Sequence, residues 1–524
     1  MIEIKKVIKE TIEKNNKKNN KKINKKIDNE KLVNLKLKSN PIKIAAYLSI
    51  FLSINLYAQT NLTNTVSYSS YMEAIRDLIP EMKINAVAET NAEMNLLNAK
   101  SSGDVNLTAQ LGAIGLYGAN SSVSALGGQS AEAVGIRAGI GVGSLIPYSG
   151  TRWSVNLSHN SYLDGKIYYA NGGSDKFQNF APSLTIEVSQ PLLRNFFGAL
   201  NKYPIKDAEY ALTIAKLQRQ LDDNSVLASY QKIYYQWIMY EKLLSYYRNM
   251  YITAKSFENQ MMARYQNGLI DNDSYQNART QTMIYSDSYA QNRVYLDSLL
   301  TTIAFFIPDI TNFSPDHAVW DAYLNLGNNM EMENVAFGDS INGQIAYQSK
   351  IRAEYTLGAM KSGNLPDLSI VGSVNLNGIT PNSSGYFNSF KSMTNVDFFA
   401  GLQFSYPIGD RANKSQYKMA ENSLYGIIAQ YDKLEKDYNT QLQTYISRFN
   451  TYKNLIASKR AQINAINSRI ATQMQKLDQG RLEVDDLLTS RLELATSQTQ
   501  LLNLQYELIT TIFDYRTLLA IDSQ

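Results

Sequence analysis

Residues 264–279 read RYQNGLIDNDSYQNAR, and residues 476–491 read KLDQGRLEVDDLLTSR. In each, a glycine is followed within a few residues by aspartates, inside a long tract with no other helix breaker. Superposing Gly268 on Gly480 brings Asp271 opposite Glu483, Asp273 opposite Asp485 and Arg279 opposite Arg491. The chain therefore builds the same reversal twice. No proline occurs between Pro204 and Pro308, or after Pro407. A proline inside a helix costs about 3 kcal/mol, so tracts of this kind are what long helices require. The pattern predicts two helical hairpins, 203–266 with 269–306 and 411–477 with 482–521. A helix of about 60 residues reaches on the order of 90 Å at 1.5 Å per residue. Such helices must bury a seam. Leu487, Leu494, Leu501 and Leu508 repeat every seven residues, beside Leu488, Ala495, Leu502 and Ile509, a coiled-coil period.

Working outward, each hairpin is preceded by the same parts. A helix expected at 70–99 leads into alternating segments, and so does one expected at 339–360. In DLSIVGSVNLN, after Pro366, Leu368, Ile370, Val374 and Leu376 share one face, and Ser369, Ser373, Asn375 and Asn377 the other. In VDFFAGLQFSY, Val396, Phe398, Ala400, Leu402, Phe404 and Tyr406 oppose Asp397, Gln403 and Ser405, with Phe399 as the exception. Each segment is about ten residues, the length a tilted strand needs to cross a bilayer. DVNLTAQLGAIGLY and SLTIEVSQ repeat the pattern in the first half, and a further pair, AVGIRAGIGVG and TRWSVNLSHN, flanks a tight turn at 147–150. Alternation alone also suits a soluble half-buried sheet. Flanking aromatics (Tyr168, Tyr169, Phe177, Phe180, Phe387, Phe390) and the long helices tip the balance toward transmembrane strands.

The N-terminus points the same way. Residues 1–43 carry 14 Lys against 5 acids, and the apolar run 44–58 that follows is too short to span a bilayer. Residues 1–58 are expected to be a signal peptide with a long basic n-region; a nucleic-acid-binding tail is the rival reading. The formal net charge of +4 then becomes about −5 on an exported chain. The remaining division is 59–306 as a first repeat, 307–338 as a connecting, equatorial segment, and 339–524 as a second repeat.

Catalysis finds no support. The chain has no Cys and two His, His159 and His317, so thiolate chemistry is excluded and a histidine-based zinc site disfavoured. GIGVGS (139–144) has spaced glycines but no helix behind it to face a phosphate. His317 reads as a loop residue. No cofactor or metal site is expected.

The doubled order of helix, strand pair and hairpin resembles the outer-membrane efflux protein family (TolC-like channels). Arg264-Tyr265-x-x-Gly268-Leu269 with Gln276-Asn277-Ala278-Arg279 resembles the first hairpin tip, and Gly480 with Val484-Asp485 and Leu487-Leu488 the second. Ser189-Gln190-Pro191-Leu192-Leu193 and Phe404-Ser405-Tyr406-Pro407-Ile408 resemble the strand-to-helix junctions. The likeness covers nearly all of 66–521. It implies a mixed α and transmembrane β fold, in which a duplicated module of strand pair and long helical hairpin forms a trimeric outer-membrane β-barrel continued by a periplasmic coiled-coil tunnel. Four strands per chain are implied, so the pair around 147–150 is surplus: it either joins the barrel or forms a hairpin below it.

The implied partners are two further copies, outer-membrane lipid, a periplasmic adaptor and an inner-membrane transporter of RND, ABC or MFS type; nucleic acid is not among them. The implied function is export of small molecules or proteins through a tripartite efflux or type I secretion system. A periplasmic coiled-coil adaptor and a passive porin are the alternatives. The likeness further implies a constricting ring of acids at the periplasmic end. Three copies of one acid around a narrow axis attract cations and hinder anions, and crowded carboxylates hold protons more tightly. Asp485 stands at the motif's acidic position with Asp486 beside it; Leu488 stands where some members of the family carry a second acid, so that either Asp486 substitutes for it or the ring is weaker here. Asp271 and Asp273 are further candidates, pairing with Arg481 or Lys476 across the tip, or serving only as helix caps. Arg264, Gly268, Leu269 and Gly480 mark the tips, with Arg264 and Leu269 suited to adaptor contact.

Overall fold

The computed structural model describes residues 64–520 apart from 77, 119–127, 177, 379, 382–387, 480 and 482–483. The expected signal peptide, Gly480, Phe177 and Phe387 lie outside the described residues.

After a short strand β1 (Asn64–Val66) come helices α1 (Tyr68–Arg76) and α2 (Pro80–Lys100). The single helix expected at 70–99 is thus two. Pro80 has no N–H to donate and its fixed φ suits a first helical turn, so α2 begins on it while Ile79 stays extended. Strands β2 (Asn106–Gly118), β3 (Ser130–Ile146), β4 (Thr151–Tyr168), β5 (Ser174–Lys176) and β6 (Asn179–Pro191) follow. The first hairpin is α3 (Ala199–Gln266) and α4 (Asn272–Ala304). A short strand β7 (Phe313–Pro315), which pairs with β1, and helices α5 (His317–Asn329) and α6 (Ile341–Gly363) lead to β8 (Asp367–Asn377), β9 (Thr380–Pro381) and β10 (Asn395–Ser405). The second hairpin is α7 (Arg411–Asp478) and α8 (Val484–Leu519). Both long arms, α3 and α7, are 68 residues, about 100 Å at 1.5 Å per residue.

The main sheet runs β10-β8-β6-β4-β3-β2, antiparallel throughout. The pair around 147–150 is β3 and β4, and both stand inside this sheet rather than apart from it. The family likeness implies four strands per chain; the path of this sheet has six, with the short β5 and β9 pairing beside it. The sheet is open, with β2 and β10 as its edges.

The core gathers where the midpoint of α3 meets other helices. Tyr234, Tyr235, Trp237 and Ile238 of α3 pack with Tyr71 and Ile75 of α1, Trp320 and Leu324 of α5, and Leu508, Ile509, Ile512 and Phe513 of α8. Full burial of such side chains contributes about 1.5–3 kcal/mol each. A buried tyrosine must also place its hydroxyl. Tyr71 donates to Tyr230 O at 3.2 Å. Tyr234 donates to Val66 O at 2.8 Å and accepts Asp316 N–H at 2.9 Å; burial pushes its phenol up to about 12. His317 is not a loop residue but opens α5, because the Asp316 carboxylate accepts Ala318 N–H at 2.9 Å and caps the helix. Its Nε2 meets Glu241 Oε2 at 3.0 Å.

Candidate functional site

The first reversal is built by backbone hydrogen bonds. Gly268 sits at φ 69, in the left-handed region that costs other residues roughly 1–2 kcal/mol. Gly268 N–H donates to Tyr265 O at 3.0 Å and Leu269 N–H to Arg264 O at 2.9 Å. These are the two bonds of a Schellman cap, which satisfies the last carbonyls of a helix. Tyr265 and Tyr275 stack across the turn, with centroids 5.7 Å apart and planes 8° from parallel. Leu269 is 71% exposed at the very end, and Arg264 is exposed beside it.

Asp271 is the N-cap of α4: its Oδ1 accepts Ser274 N–H at 2.9 Å. That bond holds its carboxyl below the ordinary carboxylate range. Asp273 lies exposed in the first turn. Asp271, Asp273, Lys476 and Arg481 form no ion pair with one another within the chain. The second tip repeats the key bond, since Arg481 N–H donates to Lys476 O at 2.9 Å, the same five-residue span as Leu269 to Arg264. Asp485 lies in the first turn of α8, its side chain outside the described residues. Asp486 is exposed, and its backbone carbonyl accepts Ser490 Oγ at 3.0 Å. The heptad rows are partly buried: Leu487, Ala495, Leu502, Leu508 and Ile509 are inside, and so are the small polar Ser490 and Ser497, which the leucine repeat does not announce.

The sheet supplies the second element. Its registers place Leu107, Ala109 and Leu111 of β2 beside Val142, Ile140 and Ala138 of β3. These align with Val155 and Leu157 of β4, then Ile186 and Leu184 of β6. Val374 and Leu376 of β8 and Phe398 and Val396 of β10 complete the row. One face is thus apolar across six strands, and much of it is exposed, Leu111 at 80% and Phe398 at 82%. The opposite face carries Thr108, Gln110, Arg137, Asn156, Asn160, Thr185, Glu187, Ser373, Asn375 and Asp397. Phe399 is an apolar residue on that face, as are Val371 of β8 and Ile114 of β2. The Phe399 ring lies over Gly401, where an added Cβ would come within 2.8 Å of it.

The charged members Arg137, Arg152 and Glu187 escape a search for acidic motifs. The signal for them is alternation, which puts each opposite an apolar neighbour. Among the described residues no group of three or more His, Asp or Glu could hold a metal ion. No described helix is long and apolar enough to cross a membrane.

The sequence matches no protein-family model and no curated protein. The fold, however, is shared with solved outer-membrane channels. CusC aligns with TM-score 0.61 at 10% identity, over 88% of this chain and 95% of its own. The Vibrio cholerae outer-membrane protein VceC aligns with TM-score 0.59 at 13% identity, over 86% and 95%. The Neisseria gonorrhoeae MtrE channel, in its open state, aligns with TM-score 0.58 at 13% identity, over 86% and 88%.

Proposed function

We propose, from the fold these channels share with it, that this chain is one subunit of an outer-membrane efflux duct: a β-barrel continued inward by a helical tunnel. The single observation that carries the reading is the sheet. An apolar, exposed face opposite a polar one has its natural place between lipid and an aqueous lumen. The free edges of β2 and β10 call for neighbouring copies. The helices ask for them too: α2 buries no residue, and Ile84, Val87, Met94 and Leu97 of α2 with Met419 and Tyr425 of α7 remain exposed. A trimer, by the family likeness, brings three pairs of hairpins around one axis.

In that assembly the hairpin tips form the inner mouth. Asp485 and Asp486 line a constriction there and select cations. Arg264 and Leu269 dock against a periplasmic adaptor that links the duct to an inner-membrane transporter, and the cargo is small molecules or proteins. Asp271 already caps a helix, so the second tip is the favoured ring.

The test is where the chain sits and how it is held. Outer-membrane detergent fractions should contain a heat-resistant trimer; release of the chain by mild salt would sink the reading. In planar bilayers, Asp485→Asn with Asp486→Asn should lower cation over anion selectivity. Unchanged conductance and selectivity would remove both residues from the ring.

A further inference from the structure

The surplus hairpin β3–β4 has the construction of a membrane wall, and we infer that each chain contributes six transmembrane strands, its β2 edge pairing with the β10 edge of a neighbouring copy. The inference rests on the duct reading above and extends it to the width of the lumen.

Three features of the hairpin support it. Its apolar residues Ile136, Ile140, Val142, Val155 and Leu157 fall in register with the apolar face of β2 on one side and β6 on the other. A hairpin packed below the barrel would have no reason to continue that face. On the polar side, β3 carries glycine at 139, 141 and 143. A Cβ at Gly141 would fall 2.1 Å from Asn156 Oδ1 and 2.9 Å from Thr108 Oγ1, and one at Gly139 would fall 3.1 Å from Gln110 Nε2. Polar side chains of both neighbouring strands therefore lie across β3, and Arg137 Nε donates to Asn160 Oδ1 at 2.8 Å. Finally, the turn at 147–150 lies at the helix end of the sheet. Gly198, just before α3, approaches Pro147 O so closely that a Cβ would fall 1.9 Å from it. The hairpin's turn is thus level with the junction between the sheet and α3, and the hairpin spans the sheet to its far end at Ser130 and Tyr168.

The count matters for closure. With six antiparallel strands, β2 and β10 run in opposite directions, so β10 of one copy can pair with β2 of the next without breaking the alternation. An odd number could not. The faces match as well, since the apolar residues of both edge strands lie on the same side of the sheet. Three copies of six strands close into eighteen. Barrel diameter grows roughly linearly with strand number, so the bore is about one and a half times that of a barrel with four strands per chain, in the range that leaves an open aqueous channel.

The natural chain has no Cys, which allows single labels. Spin labels at Ile140→Cys and Leu157→Cys on the hairpin's apolar face, Ser158→Cys on its polar face, and Ile370→Cys and Phe398→Cys on β8 and β10 are compared in proteoliposomes. If the hairpin is wall, Ile140, Leu157, Ile370 and Phe398 all report more collision with oxygen than with an aqueous nickel chelate, and Ser158 the reverse. Aqueous labels at Ile140 and Leu157 with lipid-facing labels at Ile370 and Phe398 would overturn the six-strand wall and leave the duct intact. Aqueous labels at all four would overturn both. Cysteine pairs scanned along β2 and β10 should also give disulfide-linked multimers, and a complete scan with no link between copies would overturn the edge pairing.

Discussion

At the residue scale the two reversals rest on backbone chemistry that a side chain can only spoil. Nothing lies within 4 Å of a Cβ added at Gly268, so Gly268→Ala is paid for in φ alone, roughly 1–2 kcal/mol. Amide exchange at Leu269 and its neighbours should accelerate accordingly, with little change at the α3 midpoint. Asp271 allows its two possible roles to be separated. Asn caps a helix about as well as Asp, whereas Ala does not. Asp271→Asn should leave tip protection intact and Asp271→Ala should loosen it; if Asp271→Asn also changed ion selectivity, the residue would belong to the ring as well. Its carboxyl is held below its ordinary value when folded. Its contribution to stability is therefore present above the unfolded carboxylate pKa and is lost as pH falls through the lower, folded value. The turn was legible in the sequence because a left-handed residue at a helix end is a local demand that glycine answers. The cap was not, because an acid in a first turn reads the same whether it faces its own backbone or a pore.

At the scale of elements, the joint between sheet and helices is the least forgiving place. Gly198 combines φ 66 with the near contact to Pro147 O. Gly198→Ala adds a left-handed penalty to a backbone clash, together about 2–5 kcal/mol. It should lower the yield of folded protein in detergent, while Gly426→Ala in α7, where an added Cβ meets nothing within 4 Å, should not. The bidentate bonds from Arg352 of α6 to Asp207 of α3, 2.6 and 2.8 Å long, tie the second half to the first. Arg352→Lys keeps the charge but not the fork, so exchange should rise along the α3–α6 contact. Long helices were legible from proline spacing and the presence of strands from alternation, but not strand length: β3 and β4 run 17 and 18 residues. Which strands are neighbours was not legible either. Alternation fixes faces, but register and order come from turns and partners, so only the structure shows β3 and β4 between β2 and β6.

For the whole molecule, the duplication was legible in the order of parts, and the repeated bond of Arg481 to Lys476 carries it down to single atoms. The aromatic core was less so, because Tyr234 and Tyr235 become central only when α1, α5 and α8 converge on α3. One pairing in the sheet stands apart. Neighbouring strands of the main sheet are joined by short connections except β6 and β8, whose ladder from Ser183↔Asn377 to Pro191↔Ser369 brackets the entire first helical hairpin. Closing a long loop costs entropy before its contacts are gained, and non-local pairing folds slowly. The first four strands can zip as local hairpins, and so can β8 with β10. Their union across β6 and β8 is therefore expected to be the slow step, at which two half-folded sheets become one continuous strip; stopped-flow refolding should show a slow phase that a shortened β6–β8 ladder lengthens.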